Sequence, residues 1–122
     1  MPRTILVVDD DPKIRRLMRV ELRASDYQVT EAANGEEALD LVARDEPTLV
    51  LLDLMLPGID GMEVLRTLHA HDDTLPVVMI SGHGTTTTAV EAIKSGAIDF
   101  LDKPLSSERV IVTVQNALKR HE

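Results

Sequence analysis

The chain has 122 residues, 43% of them hydrophobic, a net charge of −8 and no cysteine. That length and composition suit one domain with one core and argue against disorder, and without cysteine there is no disulfide framework, thiol nucleophile or zinc–thiolate site. The acidic balance argues against direct nucleic acid binding, and no signal peptide or membrane-length apolar run is present, so a single cytoplasmic domain over 1–122 with no membrane partner is expected.

Apolar strands alternate with helical patterns along the chain. Ile5–Val8 reads as the first strand. Asp11 then offers a helix cap with Pro12 at the first helical position, and Ile14, Leu17, Met18 and Leu22 follow on one face. Tyr27–Glu31 alternates as a half-exposed strand does. Asn34 with Glu37 opens a second helix carrying Ala38, Leu41 and Val42. Leu49–Asp53 is the third strand, and Asp60 with Glu63 opens a helix with Val64, Leu65 and Leu68. Val77–Ile80 is the fourth strand. Thr85–Ser95 is a helix ended by Gly96. Ala97–Leu101 is the fifth strand, and Ser106–Lys119 the last helix, with Val110, Ile111, Val114, Ala117 and Leu118 facing the core and Val112 off that set.

Five βα units predict a doubly wound α/β fold with a five-stranded parallel sheet. Strands one, three and four are continuously apolar, as strands buried on both faces are. Strands two and five carry Gln28, Thr30, Glu31 and Asp99, which suits sheet edges. Right-handed crossovers then favour the order 2-1-3-4-5. In that order strands one and three meet at the topological switch point, where ligand crevices open at the carboxyl ends of strands. Asp9, Asp10 and Asp53 fall there. Two like charges ~4 Å apart repel by roughly 4 kcal/mol at an effective dielectric of about 20. A hard divalent cation such as Mg2+ would relieve that repulsion, so the acids read as a cup for a metal and a phosphoryl group.

Val7-Val8-Asp9-Asp10, Leu52-Asp53-Leu54-Met55-Leu56-Pro57-Gly58, Ile80-Ser81-Gly82 and Asp102-Lys103-Pro104 together resemble the signature set of bacterial two-component response regulator receiver domains. Any one of these motifs is weak; four in order at the ends of strands one, three, four and five are specific. The stretch from Ser81 to Leu105 is similar to receivers of the nitrogen-regulator-type transcription activator class. The resemblance implies a flavodoxin-like (βα)5 fold and a domain that is not a dedicated enzyme, although it assists its own phosphorylation and dephosphorylation.

By that resemblance Asp53 is the phosphoacceptor, taking its phosphoryl group from a sensor histidine kinase. A carboxylate is ionised at neutral pH and needs no general base. Asp10, Asp53 and the backbone carbonyl of Met55 would hold Mg2+ directly, with Asp9 acting through a water. Lys103 and Ser81 would bind phosphoryl oxygens. In the family the Lys-Pro bond is cis, which points the ammonium inward. Ser81 and Phe100 take the switch positions, although Phe100 lacks a hydroxyl and can change only packing; an ordinary core aromatic is its competing reading. Met55 and His83 occupy the rim, where water reaches the phosphoryl group. Gly82, Gly84 and Thr85–Thr88 predict a marginal first turn of the fourth helix, suited to a switch. The family commonly uses the face of the fourth helix, fifth strand and fifth helix for homodimers or partner contacts. Asp11 is expected to cap its helix and nothing more. The basic residues Lys13, Arg15, Arg16, Arg19 and Arg23 read either as a solvated face or as a kinase-docking face.

Other phosphate chemistries fit less well. A haloacid-dehalogenase-like phosphatase needs an acid two residues after its nucleophile, where Met55 stands. A flavodoxin's first loop cradles phosphate, which Asp9-Asp10-Asp11 would repel. A P-loop nucleotidase lacks its Gly-Lys-Ser/Thr loop here. The main alternative is a phosphorylation-independent pseudo-receiver acting as an interaction module.

Overall fold

A computed structural model of the chain describes residues 3–82 and 85–119. Its elements alternate without exception: β1 Thr4–Val8, α1 Pro12–Ala24, β2 Gln28–Ala32, α2 Gly35–Asp45, β3 Leu49–Asp53, α3 Gly61–His71, β4 Val77–Ser81, α4 Thr86–Lys94, β5 Asp99–Asp102 and α5 Ser107–Lys119. The strands form one parallel sheet in the order β2-β1-β3-β4-β5, as the sequence predicts.

The pleat divides the strand residues between two cores. Ile5, Val7, Leu49, Leu51, Val78 and Ile80 face α1 and α5, packing on Met18, Leu22, Val110 and Val114. Leu6, Val8, Val50, Leu52, Val77 and Met79 face α2, α3 and α4, packing on Ala38, Val64, Leu65 and Ala92. Successive strand side chains point to opposite faces, so a strand covered on both sides must be apolar at every position. Each fully buried aliphatic side chain contributes about 1.5–3 kcal/mol. The edges are less demanding: Gln28 and Asp102 are exposed, and Val29, Thr30, Glu31, Asp99 and Phe100 are half-buried.

Local signals set most helix starts. Asp11, Asn34, Asp60 and Thr85 cap α1 to α4, their side chains accepting from the N–H groups of Lys13, Glu37, Glu63 and Thr88. Ser106 does the same for α5, accepting from Arg109 at 3.2 Å, so the last helix begins one residue later than expected. Other boundaries also move by one or two residues: β1 begins at Thr4, β2 and β4 run on to Ala32 and Ser81, β5 covers Asp99–Asp102, and α4 covers Thr86–Lys94. Tyr27 is not in β2, because its N–H closes the end of α1 on Leu22 O at 3.1 Å. Ala97 is not in β5, because its N–H still bonds Ala92 O of α4 at 3.0 Å. Leu17 is 37% exposed and does not join the buried α1 face of Met18 and Leu22. Val112 is exposed, as its place off the α5 core stripe implies.

Candidate functional site

The register carries the acids together. Val8 pairs with Leu52, so Asp9 and Asp53 emerge side by side at the next step. Asp53 pairs with Ile80, and Ser81 pairs with Asp102. Ser81 O then accepts the Lys103 N–H at 2.8 Å, which brings the fifth strand's end to the same rim. Asp9, Asp53 and Ser81 are buried, at 0%, 3% and 1% exposure, while Asp10 is exposed. Asp9, Asp10 and Asp53 each offer an oxygen within 4.8 Å of the others.

Lys103 reaches into this cup. The Lys103–Pro104 bond is cis. Lys103 Nζ lies 3.0 Å from Asp9 Oδ2 and 3.4 Å from Asp53 Oδ2. Asp53 Oδ1 accepts the Met55 N–H at 3.4 Å, and Asp9 Oδ1 accepts the Asp11 N–H at 2.9 Å. Asp9 Oδ2 is buried and, among the described residues, no donor meets it with hydrogen-bond geometry; the Lys103 ammonium, 3.0 Å away, serves it as an ion pair. Burial pushes the Asp53 carboxyl above the usual aspartate value, and the Asp9 charge pushes it the same way. Lys103 and the Met55 N–H pull it back without reversing the shift. Burial works against the Lys103 ammonium too, but Asp9 and Asp53 outweigh it and hold its pKa above the ordinary lysine value. One ammonium therefore does not compensate the buried acids. An all-oxygen donor set with an under-served buried carboxylate fits Mg2+, which takes few carboxylates and keeps several waters.

Of the other expected residues, Met55 stands at the rim, 62% exposed. Phe100 is half-buried and packs against the core on the α2–α3–α4 side of the sheet. His83 and Gly84 lie outside the described residues. Asp11 caps α1 as expected, accepting from the Lys13 N–H at 2.9 Å.

Three residues at the site were not singled out for it from the sequence. Arg15 Nη1 donates to the backbone carbonyl of Asp9 at 2.7 Å. Its Nε lies 3.4 Å from Glu31 at the end of β2, and Glu31 also takes Arg19. Two of the five basic residues of α1 are thus engaged with the strand ends instead of forming only a solvated face. Gly61 opens α3 directly behind Asp53: a Cβ there would sit 2.2 Å from Asp53 O and 2.7 Å from Leu54 Cα. A glycine at the first position of a helix is a sequence signal for such an approach. No comparable signal marks Arg15 or Glu31, because their contacts cross from helix to strand.

Comparison with known proteins agrees with this fold. The family model for the response regulator receiver domain matches residues 5–115. The transcriptional regulatory protein SrrA of Staphylococcus aureus is 40% identical over 120 residues, 98% of this chain and 49% of its own length. The chain thus spans about half the length of the curated relatives it matches. The crystal structure of the NtrX receiver domain from Brucella abortus is 41% identical, with a TM-score of 0.90, covering 94% of this chain and 98% of that one. A CheY-like response regulator receiver domain protein from Methanospirillum hungatei superposes with a TM-score of 0.95 at 26% identity, covering 99% and 97%.

Proposed function

The chain belongs to the response regulator receiver domain family, and on that premise we propose that Asp53 is its phosphoacceptor and that a sensor histidine kinase is the donor. The observation that carries the assignment is the Asp53 carboxylate, buried at the end of β3 with Asp9 and Asp10 within 4.8 Å and Lys103 Nζ at 3.4 Å. An Asp53 oxygen attacks the phosphorus of a phosphohistidine. A P–O bond forms, the P–N bond breaks, and the electron pair leaves on the imidazole nitrogen. The attacking carboxylate has no proton to lose, so the site needs no general base.

Asp10, Asp53 and the Met55 carbonyl would hold Mg2+ directly, and Asp9 through a water. When bound, the ion neutralises charge on the transferring oxygens. Lys103, 3.4 Å from Asp53 Oδ2, would stabilise the same charge as a compact cation, and Ser81 would donate its hydroxyl to a phosphoryl oxygen. Attack of water on the acyl phosphate would regenerate the carboxylate, with Met55 at the rim bearing on its access.

The acyl phosphate carries about two negative charges where the carboxylate carried one, a net gain of about one, and places them farther out in the cup, so Lys103 and Ser81 would re-aim toward the phosphoryl oxygens. That change is read out, in this proposal, by α4, β5 and α5, through a partner or a second copy. Regulation of transcription would follow from a downstream output region. The test is intact mass after incubation with acetyl phosphate and Mg2+. One phosphoryl adduct is expected, absent in Asp53→Ala and absent in excess chelator. An adduct of equal yield in Asp53→Ala would move the acceptor elsewhere, and no adduct in the parent would favour the pseudo-receiver reading.

A further inference from the structure

The contacts of Arg15 bear on the metal-holding loop itself. Asp9 is fixed at both ends of its backbone. Its N–H donates to Ala32 O of β2 at 3.1 Å, and its C=O accepts from Arg15 Nη1 at 2.7 Å. The carbonyl of Asp9 belongs to the peptide that leads into Asp10, so the plane of that peptide sets where the Asp10 carboxylate stands. Arg15 is held in turn by Glu31, 3.4 Å away, with the two side chains 20% and 26% exposed. Its planar fork serves a carbonyl and a carboxylate at once, which a lysine's single ammonium does less well.

We propose that Arg15, anchored by Glu31, is a positioning residue that orients the Asp9–Asp10 peptide for divalent cation binding. The inference rests on Asp9 and Asp10 being the metal-holding carboxylates. It separates from a simple charge effect by sign. Arg15 is a cation near the cup, so by charge alone its removal would tighten Mg2+ binding. By positioning, its removal loosens the carboxylates and weakens binding. Partners that orient metal ligands typically account for about 10–100-fold in affinity.

The experiment is calorimetric titration of Mg2+ into the unphosphorylated chain, comparing the parent with Arg15→Met, Arg15→Lys and Arg19→Met. Arg19→Met removes the same charge one helical turn on, from a residue that pairs with Glu31 but is not bonded to Asp9. The Kd should rise about 10-fold or more in Arg15→Met. It should rise less in Arg15→Lys, and stay within about twofold of the parent or fall in Arg19→Met. A second readout needs no metal: the amide resonances of Asp10 and Asp11 should shift in Arg15→Met and hold in Arg19→Met. Far-UV circular dichroism checks that each variant is folded, and Arg15→Lys carries the test if Arg15→Met is not. Equal or tighter Mg2+ binding in the folded Arg15 variants overturns the inference alone. Absence of saturable binding in the parent overturns the metal reading beneath it as well.

Discussion

Asp53 is the residue at which burial, charge and chemistry conflict. Its folded pKa lies above the ordinary value of 3.8, because burial and then Asp9 disfavour the charged form more than Lys103 favours it. A carboxyl of that kind binds protons more readily in the folded state than in the unfolded one. Stability therefore falls as pH rises from 3.8 to the raised folded value, and the cost is fully present above it. Asp53→Asn removes the charge and nearly keeps the shape. Without metal, its melting temperature should exceed the parent's at pH 7, and the gap should narrow as pH falls through the raised value. Mg2+ should narrow it from the other side, since the parent, which keeps the Asp53 carboxylate, gains more from binding than the variant. A variant melting at or below the parent at pH 7 would mean that the Lys103 ion pair outweighs burial. At this scale the acids were legible in the sequence because each ends an apolar run. Arg15 was not, since nothing in a helical run of Arg and Lys says which one turns back to a strand end.

The elements divide into those fixed by pattern and those fixed by neighbours. The central strands were legible because a strand buried on both faces leaves no polar position, and the first three helix starts because Asp11, Asn34 and Asp60 are capping residues in fact; Thr85, expected as the first residue of α4, is its cap instead. The ends of the first two helices were not. Asp26 and Glu46 take positive φ values of 71° and 47° there, in place of the glycine that would have marked a stop. The boundaries of β2 and β5 shifted because Tyr27 and Ala97 finish the preceding helices. Gly61 shows how tightly one element can be tied to the site. Alanine has the better helix propensity, by up to about 1 kcal/mol. Here, however, its Cβ would lie 2.2 Å from the Asp53 backbone oxygen, which cannot swing aside as a side chain could. Overpacking of this kind costs about 1–3 kcal/mol, so the clash wins. Gly61→Ala should lower stability to chemical denaturant by about that amount. It should also weaken Mg2+ binding, because the backbone that gives way carries Asp53. A variant as stable as the parent, with unchanged Mg2+ affinity, would show that α3 shifts freely against β3.

Across the whole molecule the two cores are unequal in what they leave outside. On α4 only Ala92 is buried, whereas α5 buries Val110, Thr113, Val114, Ala117 and Leu118. Val90 and Ile93 on α4 are 46% and 48% exposed, and Val112 on α5 is 47% exposed. Toward α3, the α4 helix is held by an Arg66–Glu91 pair at 2.8 Å whose side chains are about half exposed, 54% and 53%. A surface pair of that kind is typically worth roughly 0.2–1 kcal/mol. An element with so little buried surface and so weak a lateral tie belongs to the low-stability end of the fold. The α4 amides should therefore exchange faster than those of α3 and α5 before any phosphorylation. Beryllofluoride on Asp53, as a phosphoryl mimic, should then change exchange across residues 85–105 while leaving the β1 and β3 amides alone. A switch of this class carries about 1–3 kcal/mol of coupling, or roughly 5- to 150-fold in affinity for whatever reads the face. If the reader is a second copy, sedimentation should show a larger species with the mimic, and Val112→Asp or Ile93→Asp should abolish it. If mass is unchanged while exchange shifts, the reader is another protein. If Asp53 is occupied and exchange over 85–105 is unchanged, this surface is not the output of the domain.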